Sequence, residues 1–174
     1  MMELDSPYIV ELLNSSHDRA SFHCGIDALD TYIRQQAGQD MKRGLATVYI
    51  LVDTATRRIA GYYTLSATAI EATGLNEDVT KRLPRYPTLP ATLLGRLARD
   101  RRYRGKGVGD VLLIHALRRS LRLSREIASI AVVVDAIDDA ARAFYEQHEF
   151  RRSPDQEYRL FLMMRTVEKL FPLT

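Results

Sequence analysis

The spacing of apolar residues divides the chain into short strands and helices with no repeating unit. Tyr8-Ile9-Val10-Glu11-Leu12-Leu13 reads as a first strand. From Ile26 to Gln39, residues Leu29, Tyr32, Ile33 and Ala37 fall at helical spacing, so a helix is expected to start near Gly25-Ile26-Asp27. Thr47–Val52 and Ile59–Ser66 are rich in β-branched and aromatic residues and flank the polar turn Asp53–Arg58, which predicts a hairpin. Pro84, Pro87 and Pro90 punctuate Thr80–Pro90, predicting a short helix that gives way to an irregular loop. Thr92–Ala98 is the next expected strand. A glycine-rich turn at Arg104–Gly109 leads into a helix over Val108–Leu123, with Val111, Leu112, Ile114, Leu117 and Leu121 at its apolar positions. Ile130–Val134 is a continuous apolar run, the mark of a strand buried on both faces. Asp138–His148 reads as a helix, and Tyr158–Val167 as one or more closing strands. The order β-α-β-β-(α)-β-α-β-α-β predicts a mixed α/β sheet flanked by helices.

No low-complexity tract or Gly/Ser linker divides the 174 residues, so a single domain over 1–174 is expected. A lone cysteine, Cys24, excludes a disulfide framework. His17, His23, His115 and His148 lie too far apart for a zinc-protease motif, and no metal is expected. Met1–Asp5 is acidic where a signal peptide would be basic, and no apolar run approaches membrane-spanning length. These features predict a soluble, cytoplasmic protein without a membrane partner.

Charge changes the picture more than composition does. Between Lys81 and Arg125 stand 13 Lys/Arg against only Asp100 and Asp110, a net +11, and the rest of the chain carries −8. So concentrated a positive stretch suits an anionic partner such as a phosphate, nucleotide or nucleic acid. For Arg118, Arg119, Arg122 and Arg125 a solvated helix face is the simpler reading.

Arg104-Gly105-Lys106-Gly107-Val108-Gly109 carries the most chemistry. It follows a strand and opens a helix, where glycines admit a close ligand and free N–H groups attract an anion. Arg101, Arg102, Arg104 and Lys106 flank it. The Walker pattern fails because Lys106 precedes a glycine rather than Ser or Thr, and the dinucleotide fingerprint fails at Asp110. What fits is [R/Q]-x-x-G-x-[G/A], with Arg104, Gly107 and Gly109. Further on, Asp138-Asp139-Ala140-Ala141-Arg142-Ala143-Phe144-Tyr145 is followed by Phe150. A Phe-Tyr pair on a helix is by itself an ordinary core feature.

Together these segments resemble the GNAT N-acetyltransferases, whose loop of this type binds the pyrophosphate of acetyl-CoA. The resemblance narrows on Phe22-His23-Cys24-Gly25, Gly61-Tyr62-Tyr63-Thr64-Leu65-Ser66, Leu83-Pro84-Arg85-Tyr86-Pro87 and Leu94-Gly95-Arg96-Leu97-Ala98. These are similar to the GNAT toxins of bacterial type II toxin–antitoxin modules, from Phe22 to about Thr166. The resemblance implies a GNAT fold with a mostly antiparallel mixed sheet. It also implies acetyl transfer to the α-amino group of aminoacyl-tRNA, a ribbon-helix-helix antitoxin as partner, and a homodimer. It assigns coenzyme contacts to Leu97, Ala98, Arg99, Arg104, Gly105, Lys106, Gly107, Val108, Gly109, Asp138, Ala141 and Phe144. Tyr145 becomes the proton donor to the departing thiolate, whose pKa lies within about two units of a phenol's. The chain departs from the family at Arg99, where Leu-Ala-Val-Asp is usual. Lys42, Arg43, Arg85 and Arg96 are expected to face tRNA. Acetylation of a small amine or protein N-terminus, and a non-enzymatic nucleic-acid-binding corepressor, are the competing readings. Cys24 and Ser66 lack the surroundings of a nucleophile.

Overall fold

The computed structural model describes residues 6–172, so the acidic Met1–Asp5 segment lies outside the described residues. Seven strands run β1 Tyr8–Leu12, β2 Thr47–Asp53, β3 Ile59–Glu71, β4 Thr88–Arg99, β5 Ala131–Asp135, β6 Arg151–Arg152 and β7 Arg159–Met163. They form one sheet in the order β1-β2-β3-β4-β5-β7-β6. The β1–β2, β2–β3, β5–β7 and β6–β7 pairs are antiparallel, and β4–β5 is parallel. The helices are α1 Asp27–Thr31, α2 Ala37–Lys42, α3 Glu77–Thr80, α4 Val108–Leu123, α5 Asp139–Gln147 and α6 Met164–Leu170. This is the expected mixed, mostly antiparallel α/β architecture.

Two compact units share the described residues, one running up to Ser66 and including Gly95–Ala116, the other of Ala67–Leu94 and the residues from Leu117 onward. In the first, Leu29, Ile33 and Ala37 line one helical seam and pack with Val48, Ile50, Val52 and Tyr62. Alternate residues of β2 point to one face, which is why Val48, Ile50 and Val52 enter the same cluster. Gly61 is required by closeness. A Cβ there would stand 2.6 Å from Leu112 Cδ1 and 2.7 Å from the Ala98 carbonyl oxygen. In the second unit, Ile70, Leu75, Leu89, Ala91, Val133 and Phe161 form the core. Val133 pairs with Leu93 on one side and Phe161 on the other, so β5 has neighbours on both edges.

Three expectations need correction. The helix expected over Ile26–Gln39 runs from Asp27 to Lys42 and widens at Tyr32–Gln36 into a π-helical turn, where the Ala37 N–H reaches back to the Tyr32 carbonyl. The segment before Thr92 is strand from Thr88, not irregular loop. Pro90 fits there because its carbonyl accepts the Ile130 N–H at 2.9 Å, a bond that needs no proline N–H. Tyr158–Val167 is not all strand. β7 stops at Met163 and α6 follows, burying Met164 and Val167 at three-residue spacing.

Candidate active site

β4 pairs with β5 only over Thr92–Leu94, and its later residues Gly95–Arg99 lead out of the ladder toward the glycine-rich loop. A single turn of 3₁₀-helix, Arg101–Tyr103, joins strand to loop. Asp100 caps that turn from a position only 1% exposed. Its Oδ1 accepts the Arg102 N–H at 2.9 Å and Nε at 3.0 Å, and its Oδ2 accepts the His23 N–H at 3.0 Å and Arg102 Nη2 at 3.1 Å. Burial pushes this carboxyl up, but the four donors outweigh it and hold its pKa below the usual carboxylate value. Arg102 is therefore engaged within the protein rather than offered to a ligand. Tyr103 fastens the other side, donating to Asp53 Oδ2 at 2.6 Å.

Beyond this anchored turn, Gly105 and Gly107 have φ of +75° and +72°, the left-handed region that other residues resist. A Cβ on either would meet nothing within 4 Å. Their hydrogens thus face open space, and backbone conformation alone demands glycine. Val108 opens the 16-residue α4, and Gly109 is its second residue. The first N–H groups of such a helix lack intrahelical acceptors and carry the positive end of its dipole. Arg101, Arg104 and Lys106 are exposed around the loop, Lys106 with Nζ 5.4 Å from the Tyr103 ring centre. The arrangement can hold a diphosphate.

Of the strand residues expected to flank the coenzyme, Leu97 is half-buried and Ala98 is 4% exposed. Arg99 is half-buried and its Nε is enclosed without a hydrogen-bond partner. Arg96 lies over the Tyr32 ring. Lys42, Arg43 and Arg85 are exposed.

In the second unit, the Asp138 carboxylate caps α5 by accepting the Ala141 N–H at 2.8 Å, so both residues serve the helix start. Tyr145 lies one helical turn on, 8% exposed, between Phe144 and Phe150, each with ring centres 5.3 Å from its own. Burial alone acts on the phenol and pushes its pKa well above the ordinary tyrosine value. It keeps its proton at neutral pH and can donate it. Cys24 is a poor nucleophile, because burial and then the Asp30 contact push its thiol up to about 11. Among the described residues no cluster of His, Cys, Asp and Glu could hold a metal, and no helix is long and apolar enough to cross a membrane.

The structure also brings forward residues that motif reading passed over. Asp100 and Tyr103 hold the loop through partners 77 and 50 residues away in sequence, His23 and Asp53. Such pairings leave no local spacing signal.

Comparison with known proteins adds to this geometry. The chain is 30% identical over 158 residues to a tRNA-acetylating toxin of Mycobacterium tuberculosis, covering 91% of this chain and 93% of that protein. It is 29% identical over 170 residues to the probable toxin TacT of Sinorhizobium fredii, covering 93% and 94%. Among solved structures, a tyrosine-to-phenylalanine mutant of KacT superposes with a TM-score of 0.89 at 29% identity, over 95% of this chain and all of that one. AtaT complexed with acetyl-methionyl-tRNAfMet gives 0.86 at 29% identity, over 94% and 99%. An AtaT tyrosine-to-phenylalanine mutant bound to acetyl-CoA and the C-terminus of the antitoxin AtaR gives 0.81 at 26% identity, over 97% and 100%. Residues 44–152 match the acetyltransferase (GNAT) domain, and this chain belongs to the GNAT acetyltransferase family.

Proposed function

We propose that this chain is a toxin that transfers the acetyl group of acetyl-CoA to the free α-amino group of an aminoacyl-tRNA, which blocks translation. The observation that carries the reading is the anchored Gly105–Gly107 turn opening α4, because its positive-φ glycines, open space and flanking cations fit a pyrophosphate. The relatives that act on or bind tRNA supply the acceptor class. The exposed Lys42, Arg43 and Arg85 favour a polyanionic acceptor over a small amine.

Acetyl-CoA supplies a thioester as the activated acyl group. Gly105, Lys106, Gly107, Val108 and Gly109 hold its pyrophosphate with Arg104, and the Leu97–Arg99 backbone and Phe144 flank the rest. The amine nitrogen bonds to the acyl carbon, the carbon–sulfur bond breaks, and the ammonium gives its extra proton to water. An amine beside an ester is less basic than a lysine, so no strong enzymatic base is needed. Tyr145 gives the proton on its hydroxyl to the departing sulfur, and the phenolate left behind takes a proton back from water.

The units act together as one acetyltransferase domain, the working form is a cytoplasmic homodimer, and the partner that silences it is an antitoxin of the ribbon-helix-helix type. Transfer of labelled acetyl to charged but not uncharged tRNA is the expected result. Equal labelling of both, or of neither, overturns the reading.

A further inference from the structure

Arg96, on β4, lays its guanidinium on the face of Tyr32 with Cζ 3.5 Å from the ring centre. The ring beneath it is fixed from several directions. Tyr32 is 3% exposed and its hydroxyl donates to Oδ2 of the buried Asp40 at 2.9 Å. The Tyr62 ring stacks with it, ring centres 6.3 Å and planes 20° apart, and the Tyr62 hydroxyl donates to the Leu29 carbonyl at 2.7 Å. Burial and then the Asp40 bond push the Tyr32 phenol up to about 12, so the donor that fixes the ring stays protonated through the neutral range.

The guanidinium edge is a different matter. Among the described residues no acceptor is bonded to the Arg96 N–H groups, and none of its nitrogens is enclosed. The stack therefore covers one flat face and leaves a five-donor fork reachable from solvent. Asp40 meets the phenol rather than the guanidinium, so it does not occupy that fork. An arginine already immobilised by stacking loses little further freedom when it binds, and its fork matches two oxygens of a phosphate.

We propose that Arg96 binds the phosphodiester next to the aminoacyl ester of the acceptor strand, with Tyr32 as its positioning residue. The proposal rests on the aminoacyl-tRNA reading above. Arg96 immediately precedes the Leu97–Arg99 stretch assigned to the coenzyme, so its phosphate is one near the reacting amine and not one on the tRNA body. The coenzyme's own pyrophosphate is assigned to the loop eight residues further on.

The test compares two acceptors, an aminoacylated trinucleotide ending in CCA and an aminoacyl-adenosine that has no phosphodiester. Arg96→Gln is expected to lower kcat/KM about 10- to 100-fold on the first, the range for losing a charged hydrogen-bonded contact, with little change on the second. Arg96→Lys keeps the charge but not the fork and should restore only part of the loss. Tyr32→Leu should reproduce the Arg96→Gln defect, whereas Tyr32→Phe, which keeps the ring, should retain most activity. Affinity for acetyl-CoA, measured by calorimetry, should stay at the wild-type value. Equal losses on both acceptors, full rescue by lysine, or weakened acetyl-CoA binding overturns the proposal. If wild type acetylates charged tRNA and Arg96→Gln matches it, only this inference fails. If wild type acetylates no charged tRNA, the functional reading fails first.

Discussion

Asp100 and Arg102 form a two-pronged ion pair at the foot of the glycine-rich loop, Nε to Oδ1 at 3.0 Å and Nη2 to Oδ2 at 3.1 Å. The carboxylate is buried and the arginine side chain is 36% exposed, so the pair is only partly screened. Asp100→Ala would leave the Arg102 guanidinium with the Ser21 carbonyl alone and take the acceptor from the His23 N–H. A loss of about 2–3 kcal/mol is expected, readable in urea melts at pH 7. The folded-state pKa of Asp100 is depressed, so its contribution is complete above the ordinary carboxylate range and fades as pH falls through its folded value. Asp100→Asn should therefore flatten the acid limb of the stability curve. An unchanged acid limb would show that this carboxylate is not its source.

Gly107 and Gly44 make a matched pair for testing the loop. Both have φ of +72°, and a Cβ on either meets nothing within 4 Å. Alanine at either site carries the same left-handed penalty, about 1 kcal/mol. Only at Gly107 should it also reduce acetyl-CoA affinity, by about tenfold or more if the added methyl and the altered backbone each cost a contact of about 1 kcal/mol. Calorimetry with Gly44→Ala as the control separates coenzyme contact from backbone strain. Equal affinities in the two variants would remove the loop from the coenzyme site.

Tyr145→Phe keeps the aromatic contacts with Phe144 and Phe150 and removes only the hydroxyl. A fall in kcat of about 10²–10⁴-fold is expected, with acetyl-CoA affinity and thermal midpoint held. The phenol pKa is raised, so the neutral form persists and no alkaline fall in rate should arise from Tyr145 below about pH 10. Folding stability from the neutral phenol is present below the unfolded value and declines as pH climbs past it toward the folded one. Turnover of the Phe variant at the wild-type rate would return Tyr145 to a packing role.

Lys42, Arg43 and Arg85 should behave as point charges toward tRNA. Each alanine variant is expected to raise KM for charged tRNA at moderate salt and to lower the slope of log KM against log salt by about one unit. The measurement is acetylation at several salt concentrations. Wild-type KM and slope in all three variants would place the tRNA surface elsewhere.

Much of this fold is legible in local spacing. The apolar run ending at Val134 and the seam of Leu112, Leu117 and Leu121 are signals carried by neighbouring residues, and β5 and α4 lie where they point. Strand β6, two residues long, has no room for a period, and the strand around Pro90 was hidden by a residue that usually ends one. At the candidate site, the loop glycines and the α5 tyrosine stand out because each belongs to a short motif. The anchors do not. Asp100 looks like any acid after a strand until His23 comes to it, and Tyr32 looks like core until Arg96 lies on it.

The wide turn at Tyr32–Gln36 holds one residue more than a regular helix would, so this is where the chain can change length. With one residue fewer before Ala37, its N–H would still reach the Tyr32 carbonyl, now at the ordinary four-residue span, and the turns on either side would keep their bearing around the axis. Ala37 would stay in its seam and Asp40 would keep its bond to the Tyr32 hydroxyl. The exposed Gln35 and Gln36 are the residues to lose. A deletion after Ala37 has no such slack, and it would turn Asp40 away by about 100°.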